Sequence, residues 1–339
     1  MHHRGLAVGV PVAIYGLSAF VFAQLSMAFW TVRGVLNVPG LLFMMGSLAL
    51  VINFASGFLL QDLKARSDQA EVEEERVSIT ESAEPLIEQS ATVEEGTQTE
   101  LRDIASGMEL FSNMDAYLLG VIMCTLVGVG LMYINNVGAV IKALIPTLAP
   151  SESAQASQNF QVGLLSIASF LGRLFSGYTS DVLYKMYSLD RLFWPFLSGI
   201  FILSGSTLAY LMTDIFTLSF VTFLIGFGYV FKRPFFYFSY GVIWTSTPVL
   251  VGEFFGVEKF ASHWGFYQIL PAIGGQVTSF VFGVVYDSEK KGHPSDPVCQ
   301  GRDCFAHSFS FTIFLSIVSM VAVGVLYFKR RRVHCLHLQ

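Results

Sequence analysis

The chain has 339 residues, 53% of them hydrophobic and 13% charged, with a formal net charge of -5 and a mean hydropathy of +0.58. A soluble particle of this length needs more polar surface than that, so the composition excludes an ordinary globular domain and points to a polytopic membrane protein whose first partner is the lipid bilayer. There is no H-E-x-x-H, G-x-S-x-G, Walker or G-x-G-x-x-G pattern, so no enzyme activity, cofactor, metal or nucleic-acid partner is expected.

Lipid offers backbone amides no partner, so a crossing of about 30 Å calls for a helix of roughly 20 apolar residues. The first two candidate spans are 5–26 and 38–60, the former carrying Gly5 and Gly9 at helix-packing spacing and Pro11 within it. The next segment, 61–115, is of another kind: it holds 15 of the 25 acidic residues and 4 of the 20 basic ones, a net of -11. Such a segment cannot bury enough apolar area to offset the entropy of ordering and is expected to be a disordered loop. Ser78 and Thr92 each precede a glutamate by three residues, a pattern for an acid-directed kinase, and EPLIE weakly resembles an acidic dileucine sorting signal. The plain alternative for all of these is a solvated linker.

The third span, 116–136, places Gly120, Cys124 and Gly128 on one helical ridge and ends in Asn135 and Asn136. The fourth, 159–180, leads into GRLFSGYTSD, where Arg173, Gly177 and Asp181 stand at i, i+4 and i+8. On one helix face Arg173 is then about 12 Å deeper than Asp181, too far for the two to pair. Gly177 lets a neighbouring helix approach between them. Each charge is expected to meet something on that neighbour or in a cavity, although Arg173 snorkelling to the surface is the alternative. Asp181, at the membrane surface, suits the positive end of another helix.

A fifth span covers 192–212. The stretch 215–254 is too long for one crossing, and Lys232 and Arg233 sit in its middle, where adjacent cations would cost several kcal/mol at bilayer depth. The span at 261–285 contains Gln268 and Pro271, which together with Asn135, Asn136 and Pro11 suggest a polar interior of the kind a transporter needs. In the following CQGRDC loop, Cys299 and Cys304 are close enough to bridge; two free thiols are the alternative, and a lone C-x4-C offers too few ligands for a metal. Cys124 and Cys335 have no evident partner. The last span, 308–328, runs into KRRR at 329–332.

With 215–254 counted as one crossing there are eight spans and both termini on one side. Placing KRRR in the cytosol puts eight basic residues in short inside segments against five outside. It also puts Cys299 and Cys304 on the oxidising side.

GRLFSGYTSD resembles the signature of the major facilitator superfamily at the end of its eighth helix, with Gly177 to Asp181 as the G-x-x-x-D part. GEFFG, PAIGG, VVYDS, CQGRDCF and GLAVGVPVAIYGLSAFVF resemble a fungal vacuolar branch of that superfamily homologous to monocarboxylate transporters and related to nodulin-like proteins. The resemblance covers nearly all of the chain outside the acidic segment. It implies an all-α major facilitator fold entered at the fifth helix, so lacking the first four. The expected organisation is 1–60 as two helices of the N-terminal bundle, 61–115 as an acidic cytosolic loop, 116–328 as a C-terminal six-helix bundle and 329–339 as a basic cytosolic tail. It also implies that residues 230–240 interrupt what is otherwise one tenth helix, as a retained intron would.

The resulting expectation is a vacuolar, multi-pass transporter moving a small solute, anionic if Arg173 binds it, by alternating access. Asn135, Asn136 and Gln268 would line the cavity, and Gly177 and Asp181 would gate it, Asp181 docking on the start of the first helix near Gly5. The rival is a non-transporting membrane receptor or scaffold signalling through the acidic loop.

Overall fold

The computed structural model describes residues 4–32, 35–58, 113–145, 151–187, 189–226, 228–229, 236–237, 240–256, 260–292 and 298–336. The acidic segment with Ser78, Thr92 and EPLIE, Lys232 and Arg233, and the last three residues of the tail lie outside them.

The protein is an all-α polytopic membrane bundle. Its helices are α1 (Arg4–Leu25), α2 (Val38–Phe58), α3 (Met114–Leu144), α4 (Ser151–Tyr187), α5 (Phe193–Leu211), α6 (Ile215–Gly226), α7 (Tyr240–Phe254), α8 (Phe260–Gly292) and α9 (Asp303–Leu336). Among the described residues the only strands are two antiparallel pairs of two residues each, β1 (Thr31–Val32) with β2 (Val35–Leu36) and β3 (Gly228–Tyr229) with β4 (Phe236–Tyr237). Among the described residues, seven helical segments are long and apolar enough to cross a membrane. Several run past the apolar windows read from the sequence, because a helix does not stop where the hydrocarbon does; its polar ends keep their backbone bonds in the interface.

Residues 1–24 and 105–339 form one compact unit and residues 25–104 another. In the second, Ser26–Trp30 makes a π-helical turn, β1 and β2 form a hairpin, and α2 follows. Asn37 ties the turn to the helix: its N–H donates to Trp30 O at 2.7 Å and its side chain accepts from Gly40 N at 3.2 Å.

In the first unit α3 is the central helix. Asn113 caps its start by accepting from Asp115 N at 2.9 Å, and Asp115 adds a negative charge to the first turn. Its Gly120, Cys124 and Gly128 ridge lies against α8, where a Cβ on Gly128 would come within 2.7 Å of the Gly274 backbone. Thr278 donates to Gly128 O at 2.9 Å and Tyr267 to Ala116 O at 3.0 Å across the same seam. Without a hydrophobic driving force between helices in lipid, such close backbone approach supplies the packing. The two larger buried clusters lie around Leu119, Leu126, Ile243 and Tyr267 and around Tyr133, Val140, Leu218 and Phe305, and a small third one holds Trp194 and Val242.

The stretch expected as a single crossing at 215–254 is two helices. Asp214 caps α6, accepting from Thr217 N at 2.7 Å and the Thr217 hydroxyl at 2.8 Å, and these bonds hold its carboxyl below the ordinary carboxylate range. α6 and α7 are each too short to span alone, but they lie end to end along α4. Gly226 meets Leu165 and Ala168, and Gly241 meets Ser169, Gly172 and Arg173.

Candidate functional site

α1 and α4 run antiparallel, with Gly5 beside Gly177 and Phe20 beside Gly163. At the crossing there is no room for a side chain: a Cβ on Gly5 would lie 2.5 Å from Gly177 O, and one on Gly177 would lie 2.6 Å from Gly5 O. This contact positions both charges of GRLFSGYTSD.

Two turns in from Asp181, Arg173 is buried, 3% exposed, which rules out snorkelling. Its Nη1 donates to Val12 O at 2.6 Å, its guanidinium lies 5.8 Å from the ring centres of Tyr15 and Trp244, and Gly16 leaves space for it. Its Nε has no hydrogen-bond partner among the described residues. The guanidinium borders a cavity of about 200 Å³ between α1, α3, α4 and α7. Tyr15, Tyr133, Gln161, Ser166, Ser169 and Tyr240 supply most of its polar lining.

Behind the cavity wall is a chain of buried polar groups. Thr222 has one hydroxyl proton, and its bond to Gln161 Oε1 at 2.5 Å uses it, so Tyr133 donates to Thr222; Gln161 Nε2 in turn donates to Ser219 Oγ at 2.9 Å. The chain fixes the Tyr133 and Gln161 side chains on three helices at once. Ser169 Oγ is buried without a described partner, so the cavity presents two unmet polar groups, one of them cationic.

The other charge closes the end of the bundle. Asp181 Oδ1 accepts from Gly5 N at 3.1 Å, which sets the carboxylate on the amino-terminal end of α1. Arg191, after α4, reaches the same oxygen at 3.4 Å and lies 3.1 Å from Glu253 Oε1 at the end of α7, with its guanidinium over Tyr184 at 5.0 Å. Four segments therefore meet at one buried cation.

Cys299 and Cys304 are joined by a disulfide with a Cα separation of 6.0 Å. The loop it closes satisfies helix ends: Gly301 N donates to Ala143 O at 2.9 Å, Gln300 Nε2 to Lys142 O at 3.1 Å and Arg302 Nε to Tyr210 O at 2.7 Å. Gly301 does so with φ +95°, a conformation that favours glycine.

Of the residues expected to line a cavity, the structure brings Arg173 there and not Asn135, Asn136 or Gln268. Asn136 bonds back to Met132 O at 2.8 Å, and Asn135 lies 3.5 Å from Ser279 Oγ. They fall one and two helical steps from the face on which Tyr133 and Val137 reach the cavity. Gln268 is half-buried on α8. Gln161, Tyr133 and Thr222, each unremarkable on its own helix, and Arg191, in the turn after α4, escape sequence reasoning.

An all-helical polytopic membrane bundle with a cavity bordered by a buried arginine is the class that fold and site define. No family model matches the chain. Among curated proteins it is similar to the "Probable transporter mch1" of Neurospora crassa, 26% identical across 91% of this chain and 62% of that protein. It is similar also to the "Probable transporter MCH1" of Saccharomyces cerevisiae, 24% identical across 97% and 65%, and to that of Wickerhamomyces anomalus, 32% identical across 53% and 33%. The chain thus spans less than two thirds of the length of these relatives.

Proposed function

We propose that this chain belongs to a major facilitator transporter that moves a small solute by alternating access, and that the cavity beside Arg173 is where the solute binds. The observation that carries the reading is a buried guanidinium with an unmet N–H at the edge of that cavity. A buried cation inside a membrane bundle is costly, and a solute that supplies a negative charge and acceptor oxygens offsets the cost. The preferred substrate class is therefore a small organic anion. The transporter names of the relatives support the activity; they favour it over a receptor or scaffold acting through the acidic segment.

In this reading residues 116–328 are the six-helix half of the transporter, α6 and α7 together making one crossing, and α1 belongs to the opposing half. Asp181, Gly177 and Gly5 close one side, with Arg191 and Glu253 bracing the closure. That side faces the cytosol, as do both termini and the acidic segment, which is open to a kinase or sorting factor, and the membrane is the vacuolar one. The basic residues of the short loops and the resemblance to vacuolar transporters support this placement.

The test is uptake by the protein in sealed vesicles, with labelled small carboxylates beside a neutral polyol. Saturable uptake of a carboxylate, lost at least tenfold in Arg173→Ala, is expected. Absence of uptake for every solute, or carboxylate uptake indifferent to Arg173, overturns the reading.

A further inference from the structure

The outer face of α9 carries a second feature, remote from the cavity. Val321, Val325 and Phe328 are exposed there, at 60%, 47% and 69%. On a helical repeat Val321, Val325 and Lys329 form one ridge, and Gly324, Phe328 and Arg332 form the next. Nothing lies within 4 Å of where a Gly324 Cβ would be, and the six residues line an open groove of about 520 Å³. Both ridges end in a cation. Lys329 reaches Asp115 at 2.6 Å, yet its side chain stays 42% exposed and an ammonium has three N–H donors. Arg332 is exposed, and no described carboxylate lies within ion-pair distance of it.

We propose that this groove binds an anionic phospholipid, with an acyl chain lying along Val321, Val325 and Phe328 over the notch at Gly324, and the phosphate held by Lys329 and Arg332. Charge complementarity chooses this occupant. A zwitterionic lipid fills the groove but brings its own cation to the two basic side chains. A free phosphate uses the cations and leaves the apolar ridges uncovered. A peptide laid there at membrane depth would have to satisfy its own backbone amides. Anionic headgroups are drawn to clustered basic residues at the membrane surface, and here two of the four cations of KRRR terminate an apolar channel instead of standing free. The lipid would also hold the end of α9 where Lys329 and Arg330 meet Asp115 of α3.

Native mass spectrometry of the purified protein tests this with palmitoyl-oleoyl phosphatidylglycerol, phosphatidylcholine of the same chains, and glycerol phosphate as the free headgroup. Phosphatidylglycerol is expected to be retained in preference to phosphatidylcholine. Arg332→Ala should weaken its retention about fivefold. Gly324→Leu, which fills the notch without changing charge, should weaken it comparably, whereas Arg331→Ala, equal in charge and outside the groove, should leave it unchanged. Equal retention of the two lipids overturns the proposal, as does an Arg331→Ala loss equal to that of Arg332→Ala, which would mean diffuse tail charge. Full displacement by glycerol phosphate overturns it too, because a headgroup site alone would need no groove.

Discussion

Gly226 and Gly241 touch successive turns of the same helix: the first lies against Leu165 and Ala168 of α4, the second against Ser169, Gly172 and Arg173. Along α4 the contact advances by about four residues, which is what one turn of an unbroken helix would cover. The end of α6 and the start of α7 therefore continue one another along α4, and β3 pairs with β4 in the sequence between them.

Removing residues 230–240 would set Gly241 four places after Gly226. It would also leave Tyr229 directly ahead of Gly241, where Tyr240 now packs its ring on Gly130 and lines the cavity. The shortened chain is expected to insert and to melt no lower than the parent, since it keeps the contacts of Gly226 and Gly241 with α4 and loses Lys232 and Arg233 from the middle of an apolar stretch. Thermal unfolding in detergent, followed by intrinsic fluorescence, compares the two. A shortened chain that aggregates or melts well below the parent would show that the excursion is needed for folding.

The disulfide loop makes a second prediction. Closing a loop this short restricts the unfolded chain by about 2 kcal/mol. The three bonds from Gln300, Gly301 and Arg302 to the ends of α3 and α5 depend on the loop keeping its shape. Cys304→Ser should therefore lower the melting temperature, and Gly301→Ala should lower it too with the bridge intact, because φ +95° strains any residue with a Cβ. Unreduced peptide mapping should recover the linked pair. Free thiols at both positions, or a Gly301→Ala variant as stable as the parent, would contradict this account.

Much of the bundle was legible in the sequence because apolar length and small-residue spacing are local signals. The Gly120, Cys124 and Gly128 ridge found its partner on α8, and Arg173 and Asp181 lie on the neighbour-facing side of α4. The cavity wall was not legible, because Tyr133, Gln161 and Thr222 come from three helices and only their hydrogen bonds select them. Asn135 and Asn136 drew notice for being polar in a span, but one step along a helix turns a side chain by about 100°. Arg191 carries no local signal, because its place between Asp181 and Glu253 depends on where α7 ends.

The α1–α4 crossing should be intolerant of the smallest side chain. Gly177→Ala places a methyl 2.6 Å from Gly5 O, a backbone atom that cannot move without shifting α1. Overpacking of this kind costs about 1–3 kcal/mol, so the variant should melt lower and lose the protection of cysteines placed at that end of α1. Gly283→Ala on α8, with nothing within 4 Å of its Cβ, is the matched control and should be silent in the same assay. Equal behaviour of the two would mean that the helices are not in contact at Gly177.

The two charges of GRLFSGYTSD should fail in different ways. Asp181→Asn keeps an acceptor for Gly5 N but removes the negative charge between the α1 terminus and Arg191, leaving that cation to Glu253. A carboxylate at a helix amino terminus is worth roughly 0.3 to 2 kcal/mol according to burial, enough to move a closed-to-open ratio by a factor of about 1.7 to 30. The variant should fold, and cysteines at the rim near Gly5 and Asp181 should become more accessible to a charged thiol reagent. Arg173→Ala removes the bond to Val12 O, the ring contacts with Tyr15 and Trp244 and the cavity's cation, all of them away from the rim, so rim accessibility should stay at the parent level while carboxylate uptake falls. Arg173→Lys keeps the charge but loses the planar fork, and should recover part of the uptake. If Asp181→Asn and Arg173→Ala gave the same accessibility and the same uptake, Arg173 and Asp181 would form one structural unit, and neither gating nor solute binding could be assigned to either alone.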